Sequence, residues 1–177
     1  SECPGGLSCG SPGQGTHGHL TGELFRTVAK LNMTHISYKG AGAAVADLLG
    51  NSIPAAVMTL SSANAHIQTG KLRLLALSSA KRLPEYPDVP TFAELGYPQL
   101  TGITWFALAG PAGMPPAIVE RLNAEVRKGM KTPALKAQLE AESMETSDYS
   151  VAAFNKFVAA EIERWSPAVH SVAKGSK

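Results

Sequence analysis

The residues best suited to chemistry stand near the start of the chain. Gly10-Ser11-Pro12-Gly13-Gln14-Gly15-Thr16 lies between a short apolar run and a segment with helical periodicity. A glycine-rich turn that feeds a helix N-terminus presents backbone N–H groups, and the helix dipole there favours an anion. Ser11 and Thr16 add hydroxyls, while Gly13 and Gly15 let a ligand approach the main chain closely. The chemistry on offer is non-covalent capture of an anion. A tight turn with a helix cap and no ligand uses the same residues.

The stretch also spells Gly13-x-Gly15-x-x-Gly18, a dinucleotide fingerprint. That reading requires an acid at the end of the second strand to hold a ribose. Tyr38-Lys39-Gly40 stands there, and Asp47 falls inside the next helix. Ser11 lies outside a Gly-x-Ser-x-Gly elbow because residue 9 is Cys, and no base with an orienting acid marks a triad. No carboxylate pair stands out for acid–base work; Glu120, Glu125, Glu161 and Glu163 belong to helix exteriors. No catalytic residue, cofactor or metal is therefore assigned. His17 and His19 are two apart and do not share a helix face, which argues against a two-histidine metal site. His19 is expected to pack near the loop or to cap it. His35 and His66 read as isolated polar neighbours of a core, and His170 as a surface residue.

The elements that must position the loop follow from periodicity. Leu7-Ser8-Cys9 reads as a strand leading into it. Thr16 is a good N-cap for a helix with Leu20, Leu24, Val28 and Leu31 on one face. His35 to Tyr38 forms a second strand, followed by a helix that buries Val45, Leu48 and Leu49 and ends at Gly50-Asn51. Ile53 to Met58 is a third strand, with Pro54 marking its start or an edge. Ser61 or Ser62 caps a short helix through Ile67, and Leu72 to Leu77 is a fourth strand, apolar enough to be buried on both faces. Strands alternating with helices imply an α/β unit with a mostly parallel sheet. In such sheets ligands bind at the carboxyl ends of strands, which places Tyr38 and Thr59 on the same edge as the loop.

Arg82 to Pro98 holds four prolines and reads as a surface excursion with at most a short helix over Thr91–Leu95. Ile103 to Leu108 is a further apolar strand. Beyond it the chain is almost wholly helical. Pro115-Pro116 opens a helix with Ile118, Val119, Leu122, Val126 and Met130 as its apolar stripe, and Thr132-Pro133 starts another. The last begins near Ser150, with Val151, Phe154, Val158, Ile162, Trp165, Val169 and Val172 inward and a kink at Pro167. The division expected is 1–104 for the α/β lobe and 105–177 for the strand and helices that follow.

Of 177 residues, 44% are hydrophobic and 17% charged, with a net charge of +2, which suits a globular protein and offers no basic stripe for nucleic acid. The longest apolar run is too short to span a bilayer. Cys3 and Cys9 form no metal signature; an oxidising compartment could link them, although Cys9 sits in an expected buried strand.

In combination these segments resemble a known family. Leu7 through Leu20, Tyr38 through Gly50, His66-Ile67-Gln68-Thr69-Gly70-Lys71-Leu72-Arg73, Pro87-Asp88-Val89-Pro90-Thr91 and Trp105 through Gly113 are similar, in order, to the receptors of tripartite tricarboxylate transporters, the Bug proteins. So are Leu122-Asn123-Ala124-Glu125-Val126 and Glu161-Ile162-Glu163-Arg164-Trp165. The resemblance implies a type II periplasmic-binding-protein fold, a two-lobed Venus flytrap. This chain would hold one complete α/β lobe plus the C-terminal helical part of the other. It implies a periplasmic receptor for a di- or tricarboxylate, an amino acid or an aromatic acid, closing on its ligand and serving membrane transporter subunits. Carried over, Ser11, Gly13, Gly15, Thr16 and His19 form the carboxylate cradle, with Thr59 on the opposite wall; Gln14 within the loop and Tyr38 at the second strand's end are counted as ligand-binding with them. The chain departs from the family in lacking the first-lobe Pro-Gly-Gly loop and the signal sequence, and in Pro54 and Met58. A half-receptor of this kind leaves a homodimer open. The readings set against it are an NAD(P)-binding enzyme domain and the effector domain of a transcription regulator.

Overall fold

A computed structural model describes residues 6–142 and 144–175 of the chain. It divides into two compact units, Ser1–Trp105 with Ala168–Lys177, and Phe106–Pro167. The first unit carries a three-stranded parallel sheet. Its strands are β1 (Leu7–Ser11), β2 (Met33–Ser37) and β3 (Ala55–Ala56), in the order β2-β1-β3. β1 is thus central, and its carboxyl end opens directly into the glycine-rich turn. Register sets Cys9 against His35 and Ser11 against Ser37. Side chains alternate across a strand, so Cys9, Ser11 and His35 share one face of the sheet.

Helix α1 (His17–Val28) covers that face. The residues it buries are Gly18, His19, Thr21 and Gly22, whereas the expected stripe of Leu20, Leu24 and Val28 is only half-buried. The reason is how close the helix lies to the chain just after β3. A Cβ on Gly18 would stand 2.4 Å from the carbonyl oxygen of Val57, so only glycine fits the contact. Helix α2 (Ala41–Leu49) buries Ala44 and Val45, leaves Leu48 half-buried and exposes Leu49. Its end is closed by Asn51 N–H to Leu48 O at 3.2 Å and Ser52 N–H to Asp47 O at 2.8 Å, with Asn51 taking the left-handed φ of 56°.

Several expected elements take other forms. The third strand shrinks to Ala55–Ala56, directly after Pro54, which has no N–H to give a ladder. Neither Ser61 nor Ser62 caps helix α3 (Asn64–Gln68); Ala63 holds the cap position, and the preceding 3₁₀ turn is Leu60–Ser62. Leu72 to Leu77 is not a strand buried on both faces. Exposed and half-buried positions alternate along it, Leu75 is 64% exposed, and pairing is limited to one parallel bridge between Leu77 and Thr91. That bridge uses Leu77 N–H to Pro90 O at 3.0 Å and Phe92 N–H to Leu77 O at 2.8 Å. Pro90 accepts but cannot donate, so the ladder stops there. The proline-rich excursion is correspondingly less superficial than its composition implies, since Thr91 and Leu100 are fully buried. Phe25 of α1 packs on Phe92 and Tyr97, with ring centroids 5.3 and 5.5 Å apart.

Ile103 to Leu108 forms no strand among the described residues; Phe106 is 75% exposed, because a lone extended segment has no ladder to join. The second unit contains α4 (Pro116–Met130), α5 (Pro133–Ala141) and most of α6 (Val151–Gly175), with Pro167 inside the last. The expected inward stripes face solvent in part: Ile118 is 48% exposed, and Leu122, Val126, Ile162 and Val169 are exposed too. Val172 lies outside the described side chains. Within this unit Tyr149 stacks on Phe157 at 5.4 Å, and Asp148 pairs with Arg127 and with Lys131 at 3.0 Å.

Candidate anion-binding loop

The turn between β1 and α1 is built from its own hydrogen bonds. Thr16 adopts the extended backbone of an N-cap, and its Oγ1 accepts the His19 N–H at 3.3 Å, as the sequence leads one to expect. The same hydroxyl donates to Gly13 O at 2.7 Å, which also receives the Thr16 N–H at 3.3 Å. Ser11 Oγ receives the Gly13 N–H at 3.4 Å and lies 3.3 Å from Gly13 O. Gly15 turns with φ of 77°, a conformation that disfavours a side chain, and donates its N–H to Nδ1 of His19 at 3.0 Å. Gln14 is exposed at the tip. Thus Ser11, Gly13, Gln14, Gly15, Thr16 and His19 do come together in one loop, with His19 packed behind it.

Tyr38 directly follows β2, and Thr59 lies beyond β3 at the start of the 3₁₀ turn Leu60–Ser62. Tyr38 N–H donates to Ser11 O at 3.1 Å, which ties β2 to the start of the loop. Its ring lies close over Gly10, and its hydroxyl donates to Asp47 Oδ2 at 2.7 Å. That bond holds the phenol above its ordinary pKa. Thr59 Oγ1 is 2.8 Å from Ser62 Oγ. The helix that follows, α3, has only five residues, too short to offer a second anion-binding terminus.

Sequence reasoning passed over His35. Its Nε2 lies 2.7 Å from Ser11 Oγ, and its ring stacks on that of His19 with centroids 3.9 Å apart and planes inclined by 21°. Burial pushes both imidazoles below their ordinary pKa; for His35 the nearby His19 adds to the effect, while Glu23 opposes it at both. The two rings are therefore held neutral. A neutral His19 that accepts at Nδ1 carries its proton on Nε2. The signal that could have found His35 is parity. In a parallel pair it falls on the same face as Ser11, but only once the register is known.

Cys9 is a buried free thiol, pushed up to about 11 mainly by burial. Its suggested disulfide partner Cys3 lies outside the described residues. Among the described residues no group of three His, Cys, Asp or Glu could hold a metal ion.

What the arrangement can do chemically is present small dipoles and hydroxyls to an anion at a strand end. Comparison with known proteins identifies the family of the chain. The family model described as the tripartite tricarboxylate transporter family receptor matches residues 1–173. Protein BugT of Bordetella pertussis is 37% identical over 168 residues, which cover 94% of this chain and 51% of BugT. A solved structure described as a periplasmic transporter is 33% identical with a TM-score of 0.83, over 98% of this chain and 57% of that one. An R. palustris protein solved with adipate is 29% identical, also with a TM-score of 0.83, over 94% and 56%. The chain thus spans about half the length of these relatives and shares their α/β fold over that half. On a match running through almost all of its length, the chain belongs to the family of tripartite tricarboxylate transporter receptors.

Proposed function

We propose that this chain is the ligand-gripping part of an extracytoplasmic, periplasmic solute receptor for a small carboxylate. The observation that carries the reading is the Ser11–Thr16 loop, set at the carboxyl end of a central parallel strand and the N-terminus of a twelve-residue helix. Backbone N–H groups, hydroxyls and the helix dipole are gathered there, the Gly13, Gly15 and Thr16 N–H groups each taken by an internal acceptor that a carboxylate would replace. The adipate held by a relative at 29% identity supports a dicarboxylate. Ser11, Gly13, Gln14, Gly15, Thr16 and His19 are assigned to the grip, with Tyr38 and Thr59 bordering it.

Residues 1–104 would form one lobe and 105–177 the return into the other, the two closing on the ligand. Closure would present a surface to the membrane subunits of the transporter. Such a protein binds and releases without turnover. No helix among the described residues is long and apolar enough to cross a membrane. The exposed Ile118, Leu122 and Val126 support self-association of this chain when it stands alone, and a monomeric mass by light scattering would overturn that point.

The test is a thermal-shift screen of the chain with adipate, succinate, citrate, glutamate, terephthalate and NAD(P). A ligand that binds the native state raises Tm by linkage, roughly 5–10 °C at about a hundredfold excess over Kd for a domain of this size. A rise with one carboxylate is expected. A rise with NAD(P) alone would overturn the receptor reading.

A further inference from the structure

The loop is held from behind by a residue that lies far from it in sequence. Ser11 is 1% exposed, and in this closed form of the loop its hydroxyl is bonded within the fold. Its partners are His35 Nε2 at 2.7 Å and the Gly13 carbonyl and N–H at 3.3 and 3.4 Å. The one short contact is to His35. On the other side, Gly15 N–H meets His19 Nδ1 only while the His19 ring keeps its plane, and that plane lies against the His35 ring. One imidazole on β2 therefore touches both side chains that take the loop's N–H groups.

We propose that His35 is the positioning residue of the candidate anion loop: by fixing the Ser11 hydroxyl and the His19 ring together, it sets where the Gly13 and Gly15 N–H groups stand. The ligand in this proposal rests on the receptor reading, whereas the geometry does not. Charge makes the arrangement sensitive to protons. Two stacked imidazoles 3.9 Å apart resist carrying two charges. The other titratable groups facing them are Glu23 on α1, whose carboxylate pairs with Arg26 at 2.9 Å, and the neutral thiol of Cys9 on β1. A proton on His19 Nδ1 turns an acceptor into a donor and expels the Gly15 N–H. In the tautomer whose Nε2 accepts from Ser11, a proton on His35 leaves Ser11 able only to accept there.

The experiment compares the full chain with its H35A and H35Q variants. Amide and imidazole resonances are followed from pH 5 to pH 8, and adipate affinity is measured by calorimetry. In the unsubstituted chain the Gly13 and Gly15 amides should move with the titration of the two rings. H35A should displace both amides, bring His19 titration nearer its ordinary value and weaken adipate about tenfold, the worth of one net hydrogen bond. H35Q restores an acceptor and donor at the Nε2 position, so it should recover most of the affinity and remove the pH response of the Gly13 amide, leaving the Gly15 amide to follow His19 alone. Gly13 and Gly15 amides unmoved in both variants would overturn the proposal. Equal adipate affinity in the unsubstituted chain and H35A would also overturn it while leaving the receptor reading intact. Amides that respond as expected in a chain that takes no adipate would uphold the positioning role and count against adipate as the ligand.

Discussion

Gly15 N–H donates to Nδ1 of His19 across 3.0 Å, so the helix that the loop precedes reaches back and caps the loop's own donor. Gly13 N–H is likewise taken by Ser11 Oγ, and Thr16 N–H by Gly13 O. The loop is closed on itself in this conformation. A carboxylate arriving there competes with internal acceptors, and the affinity it gains is the difference between two sets of hydrogen bonds. That difference makes the internal partners, His19 above all, part of the binding equilibrium.

Stability should fall on the acid side because of the same two histidines. Both have native pKa values below the unfolded value of about 6.5. The unfolded chain therefore takes up protons first as pH falls, and the native state loses ground. The stabilisation is fully present above about pH 6.5 and is lost as pH drops through the lowered native values. Thermal unfolding at pH 7.5 and 5.5 should show the lower Tm at 5.5. Replacing His19 with Gln should flatten that dependence. A Tm that rises between pH 7.5 and 5.5 would contradict the neutral, buried pair.

Thr16→Ala should cost about 1 kcal/mol, within the range for loss of a side-chain N-cap. The substitution removes the acceptor of His19 N–H and the donor to Gly13 O, so it loosens helix and loop together. Urea unfolding measures the loss. T16S keeps the hydroxyl and should recover most of it; equal loss in both variants would show that the methyl group, not the cap, matters.

The two glycines of this region should fail for different reasons. At Gly15 a Cβ meets nothing within 4 Å, but φ is 77°. Gly15→Ala therefore pays only the left-handed strain, about 1–2 kcal/mol. At Gly18 a Cβ would stand 2.4 Å from a backbone carbonyl, which cannot step aside as a side-chain tip can. Gly18→Ala must push α1 off the sheet, at roughly 1–3 kcal/mol or more, and should move the loop with it. Equal, small losses at both positions would show that the Gly18–Val57 contact does not limit the packing of α1.

Much of the α/β unit was legible because its cues are local. The Thr16 cap, the loop, the strand that precedes it and the Asn51 end of α2 depend on near neighbours in sequence. The likeness of ordered segments to one family made the fold readable as well. What escaped depends on partners distant in sequence. His35 looked isolated because its link to Ser11 exists only through the β1–β2 register. Leu72–Leu77 looked like a buried strand because apolar composition does not reveal whether a neighbour with N–H groups is at hand; Pro90 was the wrong neighbour. The leucine stripe of α1 misled because glycines, not leucines, allowed the closest approach to the sheet. The stripes of the later helices were read correctly as apolar, yet Ile118 and Leu122 remain exposed among the described residues.

The excursion after Leu77 should depend on one threonine. Thr91 N–H donates to Glu94 Oε2 at 2.7 Å, and Glu94 N–H returns a bond to Thr91 Oγ1 at 3.2 Å, the reciprocal pattern of a capping box. Arg82 adds its Nε to Glu94 Oε1 at 3.0 Å, so the carboxylate is held below its ordinary pKa, chiefly by the Thr91 N–H. Thr91 is fully buried and carries the single bridge to Leu77. Thr91→Val keeps the volume but removes the acceptor of the Glu94 N–H, a lost cap of about 1 kcal/mol. Protease nicking between residues 80 and 98 should accelerate in that variant before global unfolding changes in proportion. Glu94→Gln should be milder, since an amide oxygen still accepts the Thr91 N–H. If T91V resists proteolysis like the unsubstituted chain, the segment is held by its aromatic contacts with Phe25 and not by the box.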